Sequence, residues 1–511
     1  MEEFIVIGGG PVGLLAALLL AKERLAKVTV YERADSIVDN IYESYPIGLN
    51  RRASKAMDRV NPAIFQTIKA GCMVVDGWKI FGGSRQVADL RSGKVVGTTR
   101  SLVNRVLLEE ALTSYADTGN GDRGSVTVVW RHSLQGVEHS NGNITRLVFA
   151  VSGATKNDPS QEVVVETNGR RIIAADGVWS RMRQCLLTLP PPLPSKGEVM
   201  AVPLKETVTH WGVKFRLLFS KPGASASGLD PAYHYIMGGL YTSIVQGDVW
   251  VIAISIRPNA EEAAILESSE ATEENKAFLR EYVRTQAPLA YPFLNEEDLT
   301  AYFGRRAYRG AIIKVNRLNH GESVVLLGDA AHSAIPPTGE GFNSGAEDCE
   351  VLLNTLSEVG LEGRPFAEYN KNRLPDVHAL GTLAVYLNYS SFLAPAPEKA
   401  ARLAASIFTT VLKNCGVYKA IYSDYTFGTL SDPPLPYRTI VSRWKWQEWT
   451  LLPLTRLIFW PIVTIYIILT LPFWGIKWLT KNIHGGRGRR GPGTALKGEP
   501  SSPVASKSKC A

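Results

Sequence analysis

Residues 4–33 constrain this chain more than any other stretch. Phe4-Ile5-Val6-Ile7 is a short, wholly apolar run of the kind that forms a buried parallel strand, and it passes directly into Gly8-Gly9-Gly10-Pro11-Val12-Gly13. Gly8, Gly10 and Gly13 fit G-x-G-x-x-G: the first glycine permits a tight turn, the second lets backbone approach a pyrophosphate, and the third lets a helix lie close on the sheet. Apolar residues from 14 to about 23 predict that helix, with its N-terminal N–H groups aimed at the phosphates. Val28-Thr29-Val30-Tyr31 is the next strand, and Glu32 follows nineteen residues after Gly13, where a carboxylate can accept hydrogen bonds from a ribose. Strand, glycine turn, helix, strand and acid in this order predict a dinucleotide site on a Rossmann-type α/β domain.

At 511 residues, 45% apolar and 20% charged, the chain has the length and composition of two or three globular domains. Its net charge of +8 would suggest nucleic acid if it were spread over one face. Much of it sits at the end instead, where Lys477, Lys481, Arg487, Arg489, Arg490, Lys497, Lys507 and Lys509 are opposed only by Glu499. The rest is close to neutral, which excludes nucleic acid as the expected partner. Five scattered cysteines without C-x-x-C spacing give neither a zinc site nor a disulfide framework, and point to a reducing compartment with no metal.

No signal peptide is expected, because core sequence begins at Phe4. Residues 457–476 carry no charge, lie between Arg456 and Lys477, and have Trp460, Trp474 and Trp478 where interfacial aromatics would sit. About 20 such residues span a bilayer, so membrane attachment is expected here. Pro453, Pro461 and Pro472 predict a helix broken into pieces, which leaves a single span, a re-entrant helix and an interfacial one all open. The expected location is a membrane held through the C-terminus, endoplasmic reticulum or mitochondrial outer membrane, with the body of the chain facing the cytosol. The Gly-, Pro-, Ser- and Lys-rich tail that follows reads as disordered.

Within the body, residues 45–52 lead into a helical stretch at 53–60, and Arg100 opens a helix at 102–112. Residues 126–130, 144–151 and 162–166 read as strands of a hairpin-rich insertion. The strand at 171–175 ends in Asp176-Gly177, followed by Ser180 and Arg183; the strand at 324–327 ends in Gly328-Asp329, followed by Pro336, Gly339, Gly341 and a helix from about 343 to 356. G-x-G-x-x-G, Asp-Gly and Gly-Asp in this order resemble the flavin-dependent aromatic hydroxylases of the para-hydroxybenzoate hydroxylase family. Gly328-Asp329-Ala330-Ala331-His332, the run from Gly339 to Cys349, Arg373-Leu374-Pro375-Asp376 and Arg443-Trp444-Lys445-Trp446-Gln447 are most similar to its kynurenine 3-monooxygenase branch.

The resemblance implies FAD, with NAD(P)H as electron donor and O2 as co-substrate. It assigns Gly8, Gly10, Gly13 and Glu32 to the ADP half, Arg100 and Asp329 to the ribityl and pyrophosphate region, and Gly341, Phe342 and Asn343 to the isoalloxazine edge. Asp176 is linked to both FAD and the nicotinamide donor, although Ala174 replaces the usual glycine two places before it. Oxygen transfer from a flavin C4a-hydroperoxide is the implied chemistry, and an apolar pocket would protect it from water. Asn343 and Tyr386 match the family's substrate-side positions. The carboxylate-binding arginine would fall near residues 75–78, which are Val75, Asp76, Gly77 and Trp78 here, with Arg85 or Arg91 as substitutes if the loop is shifted. An Asp and a Trp at that position favour a neutral lipophilic substrate, a polyene, polyketide or terpenoid, hydroxylated or epoxidised in secondary metabolism. Kynurenine 3-hydroxylation, a squalene-epoxidase-like activity and a non-enzymatic prenyl-binding escort are the alternatives. The expected layout is a first FAD-binding part at 1–180 with substrate-side strands at about 71–97, a β-rich substrate domain at 181–310 and a second FAD-binding part at 311–370. A helical region at 371–450, a membrane segment at 451–480 and the tail at 481–511 complete it.

Overall fold

In a computed structural model, which describes residues 2–37, 40–117, 119, 123–153, 161–191, 202–224, 228–258, 260–388, 394–416 and 434–485, the N-terminal apolar run lies near the middle of a six-stranded sheet. The strand order is Asn319–His320, Val324–Leu326, Arg171–Ala174, Glu3–Ile7, Lys27–Tyr31, Ser125–Val129, parallel throughout except at the Asn319–His320 edge. Phe4 to Ile7 are buried in one core with the helix Pro11–Glu23 and with Leu134, Leu147 and Phe149 of a separate three-stranded sheet, Phe149 stacking on Tyr31 at 4.7 Å. The helix Pro11–Glu23 starts on Pro11, whose missing N–H would have no intrahelical partner in any case. Leu14 through Leu20 are all buried, since this helix lies between the sheet and the helices Arg100–Ser114 and Gly341–Val359. Gly13 makes the close approach possible: a Cβ there would stand 2.0 Å from the Gly8 carbonyl oxygen.

A second sheet of eight strands runs Tyr308–Val315, Glu206–Phe219, Val249–Ile256, Leu240–Val245, Tyr233–Met237, Met73–Gly82, Arg85–Thr99, Pro46–Leu49. Its parts come from distant segments, joined where Met73–Gly82 pairs in parallel with Tyr233–Met237. One face packs Tyr235, Trp250 and Ile252 against Leu279, Val283 and Phe303 of the covering helices Glu273–Gln286 and Glu296–Gly304. The other face packs Trp211, Phe215, Leu217 and Val251 toward Ile335, in the loop after Gly328-Asp329, and Ala384 of the helix Pro365–Asn388. The expected hairpin insertion is corrected in part. Ser125–Val129 joins the six-stranded sheet beside Lys27–Tyr31, and the separate three-stranded sheet is His132–Ser140, Asn143–Val151 and Gln161–Glu166.

The C-terminal part is helical: Pro365–Asn388, Ala396–Asn414 and Tyr437–Gly485. The expectation of a helix broken by Pro453, Pro461 and Pro472 is also corrected, because all three lie within one 49-residue helix. Each proline removes one backbone hydrogen bond, and the spacings of eight and eleven residues leave whole intact turns between them. Within it Glu448–Tyr466 is long and apolar enough to cross a membrane and only 11% buried. Side chains from residue 470 and the whole stretch 486–511, which holds most of the basic tail, lie outside the described residues.

Gly13→Ala is expected to lower stability by about 1–3 kcal/mol, because its Cβ meets backbone that cannot give way. Gly71→Ala, where a Cβ meets nothing within 4 Å and φ is −96°, is the matched control and should change the midpoint of chemical denaturation little. Equal midpoints for the two variants would refute the close-approach argument.

Candidate active site

The three glycine-containing motifs meet at the C-terminal ends of the parallel strands. Gly8 has φ +102°, and a Cβ on it would lie 2.5 Å from the Ala175 carbonyl oxygen, directly before Asp176. Gly328, with φ +55°, faces Val12 so closely that a Cβ would stand 3.1 Å from Cγ2. The first turn, the Asp-Gly turn and the Gly-Asp turn therefore touch through positions with no room for a side chain. Glu32 is at the expected strand end. Its carboxylate accepts hydrogen bonds from the backbone N–H of Gly9 at 2.6 Å and of Ala34 at 2.9 Å, which ties the acid to the glycine turn.

Arg100 begins its helix after Thr99, whose Oγ1 accepts a hydrogen bond from Gln246 Nε2 at 2.7 Å. The exposed guanidinium lies beside the glycine turn, with Nη2 3.5 Å from the place a Cβ on Gly10 would occupy. Arg100 also acts electrostatically on Tyr45 and on Asp329, so these three groups gather at one mouth. Burial pushes the Asp329 carboxyl up, and His332, Arg100 and Arg183 oppose the shift. Asp176 Oδ2 accepts from the Met182 N–H at 3.0 Å; Oδ1 is buried and without a partner among the described residues. Burial raises this carboxyl too, against hydrogen bonds from Ser180 and backbone. Buried Arg183 donates to the carbonyls of Val178 and Ala330 at 2.8 Å each and to Glu206 at 2.7 Å, locking the Asp-Gly turn to the Gly-Asp turn.

On the sheet face toward these turns, Trp78 stands edge-on to His234 with ring centroids 4.7 Å apart. His234 Nδ1 is 3.1 Å from the Tyr241 hydroxyl, while Nε2 is buried and unpartnered among the described residues. Burial lowers the His234 pKa to about 4 and raises the Tyr241 phenol. Lys79 points the other way, 4.0 Å over the Tyr233 ring. Arg85 is exposed at the tip of the hairpin, opposite Gly82, and the side chain of Arg91 lies outside the described residues.

A family model described as an FAD binding domain matches residues 2–380. The chain belongs to this FAD-binding family. Among curated relatives, the kynurenine 3-monooxygenase of Neurospora crassa is 26% identical over 433 residues, covering 77% of this chain and 80% of that protein. The kynurenine 3-monooxygenase of Caenorhabditis elegans is 23% identical over 465 residues, with 88% and 93% covered. Among solved structures, p-nitrophenol 4-monooxygenase from Pseudomonas putida DLL-E4 is similar with a TM-score of 0.57 at 18% identity, covering 79% of this chain and 92% of that one. A 2-methyl-3-hydroxypyridine-5-carboxylic acid oxygenase is similar with a TM-score of 0.57 at 16% identity, over 78% and 95%. The fold is that of the flavin-dependent aromatic hydroxylases, and the protein is an FAD-dependent monooxygenase.

The FAD site fits the residues present. The Gly8–Gly13 cradle leaves the space a pyrophosphate needs, Glu32 is anchored at the ribose end, Arg100 is beside Gly10, and Asp176 offers a buried oxygen without a partner. Gly341 and Phe342 open the helix Gly341–Val359, and a Cβ on Gly341 would meet nothing within 4 Å. Asn343 is fully buried. Its Nδ2 donates to the carbonyls of Gly48 and Gly339 at 2.8 Å each, and its Oδ1 accepts from the Asn50 N–H at 3.0 Å. This amide fastens the Gly339–Asn343 turn to the strand Pro46–Leu49. Tyr386 lies farther along the helix Pro365–Asn388, against Trp444 at 4.2 Å and under the Arg402 guanidinium at 4.7 Å.

Sequence reasoning missed a buried polar network behind the turn. Tyr437 Oη donates to Glu340 Oε2 at 2.5 Å, and Asn50 Nδ2 donates to Glu340 Oε1 at 2.8 Å. Arg52 stacks 4.3 Å over the Tyr437 ring and reaches Glu347 at 3.2 Å. Arg373 spans Glu347 and Asp348 at 2.7 Å each. Nothing in the sequence separates buried Arg52 from exposed Arg51, and Tyr437 follows a stretch with no motif.

Glu32→Ala is expected to weaken FAD binding about tenfold or more, read by flavin fluorescence on titration; undiminished affinity would refute the ribose-end assignment. Burial lifts the Glu340 carboxyl from its ordinary 4.5 to about 7, against Arg52, Tyr437 and Asn50. The folded state thus keeps this proton longer than the unfolded chain. The stability so contributed is full below pH 4.5 and is lost as pH rises through about 7. The melting temperature of the native protein should therefore fall relative to Glu340→Gln between about pH 5 and about pH 8. Parallel profiles would contradict it.

Proposed function

We propose that this protein is an NAD(P)H-dependent flavoenzyme that hydroxylates an electron-rich aromatic ring, with L-kynurenine as the substrate its curated relatives support. What carries the reading is the meeting of three motif turns on one crevice, in a chain that shares three quarters or more of its length with kynurenine 3-monooxygenases. FAD, when bound and reduced by NAD(P)H, supplies the oxygen-activating chemistry. The chain's own residues do the rest. Gly8, Gly10, Gly13 and Glu32 hold the ADP half, Arg100 and Asp329 face the ribityl and pyrophosphate region, and the Gly341–Asn343 turn takes the isoalloxazine edge. The apolar face of Trp211, Phe215 and Ile335 keeps water away from the reacting ring.

A second reading is favoured by one specific observation. Where a carboxylate-binding arginine would fall, Trp78 packs on neutral His234 and Tyr241, and Lys79 faces away. A carboxylate buried without a cationic partner costs several kcal/mol, whereas each buried CH2 of a neutral substrate contributes roughly 0.8 kcal/mol. That patch suits a neutral aromatic or lipophilic molecule. Under the first reading, micromolar L-kynurenine accelerates NAD(P)H oxidation and yields 3-hydroxykynurenine in proportion. No stimulation at millimolar L-kynurenine, with clear stimulation by 2-aminoacetophenone or a neutral aromatic polyketide, would replace it with the second.

The helix Tyr437–Gly485 attaches the enzyme to a membrane through the segment that begins within Glu448–Tyr466, with the catalytic part on the cytosolic side of the endoplasmic reticulum or mitochondrial outer membrane. Leu457, Ile458, Ile462, Ile465 and Leu469 are more than half exposed, an apolar surface that water does not stabilise. Deleting residues 457–511 should move the protein from the membrane pellet to the supernatant while its FAD remains bound. Unchanged pelleting would place the attachment elsewhere.

A further inference from the structure

The contact between Glu340 and Tyr437 joins the flavin turn to the helix that carries the membrane segment, across 97 residues of sequence. Glu340 is the last residue before the helix Gly341–Val359, follows Gly339 in the left-handed region at φ +66°, and is 2% exposed. Its backbone is thus part of the turn assigned to the isoalloxazine edge, while its carboxyl points back into the protein. There it meets Asn50 on one oxygen and Tyr437 on the other. Tyr437 is the first residue of the 49-residue helix and has no exposed surface. Its ring is held from one side by Arg52, which is fixed in turn by Glu347 and by the carbonyl of Leu435 just upstream. The next residue, Arg438, donates its N–H to Asp376 at 2.9 Å, which sets the helix start on Pro365–Asn388. Farther along, the same helix becomes exposed and apolar.

We propose that Tyr437 is a positioning residue for the flavin: through Glu340 it fixes the Gly339–Asn343 turn, so that seating of the membrane-bound helix and seating of the isoalloxazine are one event. This rests on the assignment of that turn to the flavin edge. The phenol has one geometry in which it satisfies Glu340 and still stacks under Arg52. A shift of the helix start by a turn would leave a buried carboxyl lacking one partner, and the turn, tied also through Asn50 and Asn343, would have to move with it.

The test uses the full-length protein in lipid nanodiscs, with FAD affinity read by fluorescence quenching and the band shape of bound flavin read in the visible spectrum. Tyr437→Phe keeps the ring and the Arg52 stack and removes only the hydroxyl. It should weaken FAD binding about fivefold to twentyfold and alter the band shape. Glu340→Ala should do the same, and the double variant should be little worse than either, because the two residues act as one unit. Leu279→Ala, which opens the core on the far face of the second sheet and touches neither the helix nor the turn, should lower thermal stability and leave FAD affinity and spectrum unchanged. Gly341→Val separates the two possible failures. Its Cβ meets no protein within 4 Å, so it should abolish FAD binding if the turn holds the flavin. Retained FAD in Gly341→Val would remove the assignment of the turn, and the proposal with it. Loss of FAD there, with native affinity in Tyr437→Phe or additive effects in the double variant, would leave the assignment standing and overturn the role of Tyr437.

Discussion

The Asp348 carboxylate holds the Gly-Asp half of the crevice together. It has no exposed surface and accepts three hydrogen bonds: from the Gly328 N–H at 2.8 Å, His332 Nε2 at 2.7 Å and Arg373 Nε at 2.7 Å. These donors belong to the end of the strand Val324–Leu326, the loop after it, and the helix Pro365–Asn388. Asp348 itself stands two turns into the helix Gly341–Val359. One charge therefore fixes where the strand stops, where the glycine turn begins and how the C-terminal helices lie. Its pKa is lowered despite burial, because His332 and Arg373 both favour the ionised form. Removal of one partner from such a buried pair typically costs about 3–5 kcal/mol, since the other charge is left uncompensated. Gly328 can then adopt φ +55° and approach Val12, which brings the Gly-Asp turn against the first glycine helix.

The first sheet was legible because its rules are local. An apolar run, three glycines at fixed spacing and an acid at the next strand end each carry a backbone requirement, and Gly13 and Gly8 show the requirement directly as missing space. The second sheet follows no local rule. Its eight strands come from residues 46 to 315, and its centre is a parallel pairing between segments about 150 residues apart, which alternation alone cannot specify. Ser125–Val129 was misplaced for the same reason: an apolar strand followed closely by a hairpin reads as part of that hairpin, and only its neighbour Lys27–Tyr31 decides otherwise. The prolines of the last helix were over-weighted. A proline removes one hydrogen bond, and with whole turns between them the helix continues through all three.

At the site, residues whose role depends on backbone were readable and residues whose role depends on a distant partner were not. Glu32 lies beside the glycine turn as its spacing from Gly13 suggests, and Arg100 lies beside the same turn, a residue that the family resemblance and not its spacing singles out. Asn343 lies at the start of the expected helix, yet its amide is occupied by Gly48, Gly339 and Asn50, a set that no pattern near 343 reveals. Arg52 and Arg51 are adjacent in sequence and identical in type. Only the fold, by setting Arg52 between Tyr437 and Glu347, makes one of them part of the network.

The charges in that network explain why Glu340 differs from its neighbours. Arg52 and Arg373 bring two fixed positive charges into a region that contains Glu340, Glu347 and Asp348. Asp348 is committed to ionisation by direct contacts with Arg373 and His332, and Glu347 accepts from both guanidiniums. Glu340 reaches no guanidinium by hydrogen bond among the described contacts. Its partners are a carboxamide and a phenol, which satisfy its oxygens without supplying charge. Burial lifts the Glu340 carboxyl to about 7 and Glu347 adds to the shift, against the opposing pull of Arg52 and the hydrogen bonds from Tyr437 and Asn50.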